Sequence, residues 1–178
     1  MGEEHRLLQG NAVSRGIAIA EAYVYEPLDL TIIKDICTKE EVEKECKRFY
    51  DAMNRAKDEL ERLYDILEKE HPEQAKIFAA HKELLDDEEM IEETESAIKE
   101  DCLTAESAVD MIFNQYAELL KQVDDPLIAG RAADLLDVKR RVLRLLLGKE
   151  EKKLDYFDRD VIVVAHDLLP SDTANLDR

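Results

Sequence analysis

Two histidines lie where a titratable ring could do chemistry. His81 falls in a helical row with Ile77 and Leu84. Its apolar neighbours predict a buried, hydrogen-bonded ring or, if that row faces outward, an apolar and titratable patch typical of the centre of a protein interface. His166 follows a short apolar segment and precedes Asp167, a position where α/β proteins often carry active residues. An ordinary loop histidine is the favoured interpretation of His166, and the two interpretations of His81 stay open.

The carboxylates and thiols do not form a pattern typical of a metal centre or a catalytic centre. The acidic residues lie in runs such as Asp86–Glu89 and Glu92–Glu93, which indicate solvated helix faces. Cys37, Cys46 and Cys102 lack C-x-x-C spacing, so reduced thiols are expected and neither a zinc site nor a disulfide framework is predicted. No nucleotide-binding, zinc-protease or hydrolase motif occurs, and we predict no catalytic residue and no metal ligand.

Arg131 interrupts an otherwise regular apolar pattern. A spacing of four and three residues calls for an apolar side chain between Ile128 and Leu135, where Arg131 stands. Either Ala132 fills that layer and Arg131 lies at its edge, or Arg131 pairs with a carboxylate such as Asp134. The structural interpretation is favoured, although breaks in such patterns can also be functional.

Net charge limits the classes of partner. The 178 residues carry a formal charge of −18, which disfavours binding to nucleic acid or to anionic membranes and favours basic protein partners. The amino terminus has no apolar run typical of a signal peptide, and no stretch reaches the length needed to span a bilayer. A cytoplasmic protein is therefore expected.

Apolar periodicity predicts five helices between two strands. The first helix, from Lys39 to His71, carries a strict coiled-coil-type seam and has Thr38 as its expected N-cap. Capping and turn residues, including the Asp125-Pro126 start and the Gly148 end of the fifth helix, delimit the others. The seam consists of Val42, Cys46, Phe49, Met53, Ala56, Leu60, Leu63 and Leu67. The predicted elements are strand 17–25, helices 39–71, 73–85, 88–100, 104–123 and 126–148, and strand 160–165.

This order predicts a mainly α fold in which a helical bundle is inserted into an incomplete α/β unit. Residues 1–36 supply the first strands of the α/β unit, 37–149 form the bundle, and 150–178 supply the return strand and the start of a helix at Ser171. Because that helix would be barely two turns long, we expect the end at Arg178 to be a cut within a longer domain.

Four segments, in this order and spacing, resemble the amino-terminal part of enzyme I of the bacterial phosphotransferase system, a phosphoenolpyruvate-protein phosphotransferase. The likeness runs from about Leu7 to the last residue. The segments are Gly10-Asn-Ala-Val-Ser-Arg-Gly-Ile-Ala-Ile-Ala-Glu-Ala22, Ile77-Phe-Ala-Ala-His-Lys-Glu-Leu-Leu-Asp-Asp87, Arg131-Ala-Ala-Asp-Leu-Leu-Asp-Val138 and Val161-Ile-Val-Val-Ala-His-Asp-Leu-Leu-Pro-Ser-Asp-Thr-Ala174.

The resemblance implies that the bundle docks HPr, the small histidine phosphocarrier protein, and that the strands belong to a phosphohistidine subdomain. It places the phosphorylated histidine, in a G-G-x-T-S-H segment, shortly beyond Arg178. The parent enzyme would use phosphoenolpyruvate and Mg²⁺ in a carboxy-terminal barrel, through which it would also form a homodimer; no cofactor is implied for residues 1–178. The implied docking residues are Glu73, Phe78, His81, Leu84, Leu85, Met90, Leu120, Val123, Ile128 and Arg131.

The chain departs from the family pattern around the docking segment. The family usually has more acid just before Ile77-Phe78, whereas Glu73 is the main acidic residue here, and Lys82-Glu83 replaces a commonly apolar pair. Docking is therefore expected to be weaker or tuned to a different HPr-like partner. Alternatives are a stand-alone helical adaptor that binds a regulatory protein, or a nitrogen-linked enzyme I paralogue.

Overall fold

The computed structural model describes residues 14–26, 28–69, 71–150, 154, 157–166 and 168. The chain divides into two compact units, one of residues 1–26 with 157–167 and one of residues 27–156 with 168–178. This division falls after residues 26 and 156, whereas the predicted domain ranges changed after 36 and 149. The sequence predictions for residues 1–13 and for a helix starting at Ser171 lie outside the described residues.

The smaller unit contains two parallel strands, β1 (Glu21–Tyr25) and β2 (Val161–Ala165). They pair in register from Glu21 opposite Val161 to Tyr25 opposite Ala165. The ring of Tyr23 packs edge-on against Phe157, with the centroids 5.0 Å apart. β1 begins later than predicted, because the preceding residues make no ladder bonds, and Ile17 and Ile19 are exposed.

The long helix α1 (Val42–Glu68) buries the predicted seam. Six of the eight seam residues are buried, and Val42 and Leu63 are partly buried against the same core. The helix begins later than Thr38 because the carboxylate of Glu41 accepts hydrogen bonds from the backbone N–H and the hydroxyl of Thr38, which fixes residues 38–41 in a turn. The seam prediction is confirmed, and the N-cap prediction for Thr38 is wrong.

Four shorter helices complete the bundle: α2 (Pro72–Leu84), α3 (Glu88–Glu100), α4 (Ala105–Gln122) and α5 (Pro126–Leu146). Short polar side chains cap three of them. Asp87, Thr104 and Asp125 accept from the backbone N–H of Met90, Ser107 and Leu127, respectively.

The predicted left-handed end of α5 is confirmed. Gly148 has φ 61° and donates its N–H to the Leu145 carbonyl, while the Lys149 N–H reaches the Arg144 carbonyl. These two bonds form a Schellman motif, which favours glycine at this position because its backbone is left-handed.

Ion pairs between helices define their directions. Lys82 contacts Glu61 at 2.6 Å and Lys57 contacts Asp86, so α2 runs antiparallel to α1. Arg141 contacts Glu59 at 2.8 Å and Arg48 donates to the Leu146 carbonyl at 3.1 Å.

These last two contacts make α5 antiparallel to α1 as well, and hence parallel to α2. Since α4 and α5 form a hairpin, the first turns of α2 and α5 and the last turn of α4 lie at the same end of the bundle. The mainly helical fold predicted from the sequence is confirmed.

Candidate functional site

The end of the bundle where α4 meets α5 exposes large apolar side chains. Leu127 is 85% exposed, Leu119 54%, Val123 41% and Ile128 40%. Ile77, in the second turn of α2, is 37% exposed and lies toward the same end, because α2 and α5 are parallel. We call these five residues the apolar end. Clustered exposed apolar residues of this kind mark sites of interaction with other molecules.

Local sequence determines this exposure. The Asp125 cap and Pro126 start α5 abruptly, so Leu127 and Ile128 fall in its first turn. The buried stripe of α5 begins only at Ala132 and continues through Leu135 and Val138. The first turn of α5 therefore extends past the core and is left to solvent.

His81 is enclosed beneath the apolar end, with 1% of its surface exposed. Its Nε2 lies 3.4 Å from Asp134 Oδ1, and its Nδ1 lies 3.7 Å from Asp137 Oδ2, both on α5. Nε2 makes no hydrogen bond within the part of the chain that the structure describes. The ring of Phe78 packs edge-on, with centroids 6.1 Å apart. Of the two interpretations of His81, the structure bears out the buried ring, although without the expected hydrogen bond at Nε2.

The ten predicted docking residues divide by exposure. Four are enclosed in the core, so any part they play in docking is indirect in this structure, and their place in the docking set stays a prediction: Phe78, His81, Leu85 and Met90. The side of α2 that bears Phe78 and His81 packs onto α1 and α5, which accounts for the burial of these two. Leu84 and Leu120 are partly buried against the core, whereas Glu73, Val123, Ile128 and Arg131 are exposed. For these six, direct contact with a partner stays a prediction.

Three residues of the apolar end were missing from the predicted set: Ile77, Leu119 and Leu127. The sequence does indicate that Leu127 is exposed, because a leucine directly after an Asp-Pro helix start precedes the first buried layer of that helix. Leu119 and Leu120 are adjacent, and the resemblance placed Leu120, which packs against the core, in the docking set.

Arg131 lies at the edge of the bundle. Its side chain is exposed, while the neighbouring Ala132 is 2% exposed and fills the core layer. Of the two interpretations drawn from the sequence, the structure confirms the first. His166 is exposed in a bend directly after β2, as expected for a loop histidine.

Acidic groups of α3 face α4 on one side of the bundle. Burial, with the charges of Glu93, Glu89 and Asp87, raises the pKa of Tyr116 from 10.0 to about 12. The phenol therefore stays neutral at physiological pH and lies among carboxylates. Among the described residues, no group of three or more His, Cys, Asp or Glu side chains could hold a metal ion. No helix within the described ranges is long and apolar enough to cross a membrane.

Comparison with known proteins identifies the family. The model of the family described as "PEP-utilising enzyme, N-terminal" matches residues 9–131, more than half of the chain. The chain belongs to this family. Among its curated relatives, the phosphoenolpyruvate-protein phosphotransferase of Staphylococcus carnosus is 36% identical and that of Bacillus subtilis 38% identical, each over 172 residues and 96% of this chain. The chain spans 30% of the length of either relative.

Solved structures agree with this assignment. An NMR solution structure of Enzyme I superposes with a TM-score of 0.80 at 36% identity, and the match covers 92% of this chain and 66% of that one. A structure described as the N-terminal domain of Enzyme 1 - Nitrogen superposes with a TM-score of 0.68 at 25% identity, with the same coverage. The resemblance to the amino-terminal domain of enzyme I, drawn from four sequence segments, is confirmed.

Proposed function

We propose that this chain is the recognition part of an enzyme I of the sugar phosphotransferase system and that its apolar end docks the phosphocarrier protein HPr. The observation that carries the proposal is the cluster of exposed apolar side chains around the hairpin between α4 and α5. These large apolar side chains are not needed to fill the core, because Ala132 and Leu135 already fill the core layers nearest to the start of α5.

Charge around the apolar end fits a basic partner. Asp124 and Asp125 lie in the hairpin itself, and Glu73 is exposed in the first turn of α2, where it pairs with Lys76 at 2.7 Å. Arg131 adds one exposed cation, and guanidinium groups suit the recognition of phosphate or carboxylate. An apolar centre with a charged rim is the usual anatomy of a protein interface.

The enclosed residues support the surface from below in this proposal. His81 lies 3.4 Å from Asp134 of α5, and Phe78 packs against the His81 ring, so these side chains help to set the separation between Ile77 on α2 and Ile128 on α5. A docking surface formed by helices on a packed core needs little ordering when it binds, which lowers the entropic cost of association.

Phosphoryl chemistry is assigned to the whole enzyme and not to a residue of this chain. By its relation to the phosphoenolpyruvate-protein phosphotransferases, the whole enzyme would transfer a phosphoryl group from phosphoenolpyruvate, with Mg²⁺, to HPr. We assign no catalytic residue and no cofactor site to residues 1–178, and the homodimer likewise belongs to the whole enzyme in this proposal.

Titration of isotope-labelled chain with HPr, followed by NMR, tests the docking proposal. Resonances of Leu119, Val123, Leu127 and Ile128 should shift in a saturable manner. Leu127→Asp and Ile128→Asp should each weaken binding by about 30-fold, corresponding to the ~2 kcal/mol of an interface hot spot. Acidic residues are favoured in the first turn of a helix, so neither variant should unfold α5.

Ile33→Asp is the matched control. Ile33 is 87% exposed and lies two residues before Asp35, whose N–H bonds to Ser107 at the start of α4. It is therefore about one length of α4, roughly 27 Å, from the apolar end. Unchanged spectra at millimolar HPr, or equal weakening by Ile33→Asp, would refute the proposal.

The nitrogen-linked branch is the second candidate. It is favoured by the superposition with the N-terminal domain of Enzyme 1 - Nitrogen and by the unusual Lys82-Glu83 pair next to His81. Parallel titrations with HPr and with its nitrogen-branch counterpart separate the two branches. Tighter binding of HPr supports the sugar branch, and tighter binding of the other carrier supports the nitrogen branch.

A further inference from the structure

Cys37 and Cys102 face each other across a short antiparallel pairing that joins two loops of the helical unit. The Cys37 N–H donates to the Cys102 carbonyl at 2.7 Å, and the Thr104 N–H donates to the Asp35 carbonyl at 3.2 Å. Between these bonds, Ile36 and Leu103 form an isolated antiparallel bridge. This register makes Cys37 and Cys102 a directly opposed pair, although they are distant in sequence.

The spacing of such a pair suits a disulfide. Cys102 has a left-handed backbone, with φ 53°, so the pair is not part of a regular ladder. The 2.7 Å bond from the Cys37 N–H to the Cys102 carbonyl nevertheless holds the two Cα atoms about 5–6 Å apart, inside the range of roughly 4.4–6.8 Å that a disulfide spans. The Cys37 Sγ lies 3.8 Å from the Leu103 carbonyl oxygen, so this thiol extends over the partner segment.

Both thiols are free and partly exposed, which gives an oxidant access to them. Burial raises the pKa of Cys37, and the nearby Cys102 is the next largest contribution. The third thiol, that of Cys46, is enclosed in the core with 8% exposure and provides an internal comparison.

We propose that Cys37 and Cys102 are a redox modification site that closes to an intramolecular disulfide when the protein meets hydrogen peroxide. In the first step, one thiolate attacks a peroxide oxygen, which forms a sulfenic acid and releases hydroxide. In the second step, the other thiolate attacks that sulfur, forms the S–S bond and expels a second hydroxide. The two thiols lose two electrons and two protons in total, and one peroxide becomes two waters.

Closure would affect the helical unit because the loop it forms contains α1, α2 and α3. A cross-link restricts the unfolded chain, and for a loop of roughly 65 residues the melting temperature should rise by about 10 °C. Thiol reductants would reverse the change. Because burial raises the Cys37 pKa, closure should proceed faster as pH rises and more of the thiolate forms.

Peroxide treatment of the full chain, followed by non-reducing mass spectrometry, tests this inference. The intact mass should fall by two hydrogen atoms, and peptide mapping should show Cys37 joined to Cys102, with Cys46 still open to alkylation after unfolding. The rise in melting temperature should disappear with dithiothreitol and should be absent from Cys37→Ser and Cys102→Ser.

Several results would overturn the inference. Sulfinic or sulfonic acids at separate cysteines without a linked peptide would show that the thiols cannot meet. A covalent dimer would show that they meet between molecules and not within one. An unchanged intramolecular disulfide in Cys37→Ser would assign the bond to another pair. Because the peptide map is read on the natural sequence, the test does not depend on how well a variant folds.

Discussion

Leu60 is the sixth of the eight α1 seam residues and is completely buried, so its truncation tests the packing of the bundle directly. Leu60→Ala removes three carbon atoms, which corresponds to about 2.4 kcal/mol of transfer free energy at ~0.8 kcal/mol per carbon. The cavity left behind adds to this loss, and comparable leucine truncations cost about 2.7–5 kcal/mol. We expect the free energy of unfolding to fall by about 3 kcal/mol.

Urea denaturation followed by circular dichroism measures this loss. With a urea dependence of about 1.5 kcal/mol per molar, the midpoint should move down by about 2 M, with an unchanged slope. Ile66→Ala is the matched control on the same helix, because Ile66 is 59% exposed. It should change stability by less than about 0.5 kcal/mol, as most surface substitutions do. Similar losses in both variants, or a loss below about 1 kcal/mol for Leu60→Ala, would refute the seam as the source of stability.

Three further predictions concern a cap and two titrating groups. Gly148→Ala should cost about 1 kcal/mol in urea denaturation, because φ is 61° while an added Cβ would have open space, so only the backbone penalty applies. The pKa of Tyr116 is raised from 10.0 to about 12 in the folded state, so the unfolded chain ionises first and the protein loses stability as pH rises through this range. Tyr116→Phe should flatten this part of the profile of stability against pH. In a titration followed by tyrosinate absorbance, the variant should lack the step at the highest pH. Burial acts to raise the pKa of Glu59, but Arg144 and Arg141 outweigh it and lower the pKa below 4.5. The stability that this ion pair contributes is present above pH 4.5 and is lost as pH falls below it. The urea midpoint of Glu59→Gln should therefore fall less steeply on acidification than that of the natural protein.

Helix type, order and most boundaries could be predicted from the sequence because strong local signals agree. The α1 seam repeats over four heptads, and α3 begins and ends at the predicted residues 88 and 100. Thr104, Asp125 and Gly148 are caps with a direct chemical role, and the predicted caps Asp125 and Gly148 act as expected. The start of α1 was missed because Glu41 forms a turn with Thr38, and this competing local bond has no periodic signature.

The orientation of α2 could not be predicted, because this helix is apolar on more than one side. Ile77 and Phe78 are adjacent, and in any packing one of them must point away from the core. The structure encloses Phe78 and exposes Ile77, so part of the docking set carried over by resemblance lies in the interior. Only the contacts of α2 with α1 and α5, which are distant in sequence, determine that choice.

The cysteine pair was missed for a related reason. Cys37 and Cys102 have no motif spacing, and their opposition results from a bridge between two loops with no periodic pattern. Motif reading detects cysteines that are close in sequence, whereas here the α1–α3 block separates them. Cysteine counting therefore predicted three unrelated thiols.

In the proposed docking function, the positions of the apolar side chains separate recognition from stability. Leu127 and Ile128 precede the first core layer of α5, so a change there alters the surface and leaves Ala132, Leu135 and Val138 packed. Phe78 is buried and packs against the ring of His81, which contacts α5, so its loss would both open a cavity and loosen the packing of α2 on α5. Substitutions at Leu127 should therefore change partner affinity alone, whereas substitutions at Phe78 should change affinity and stability together. That contrast follows if, as proposed, the recognition surface lies on helix ends that extend past a rigid core.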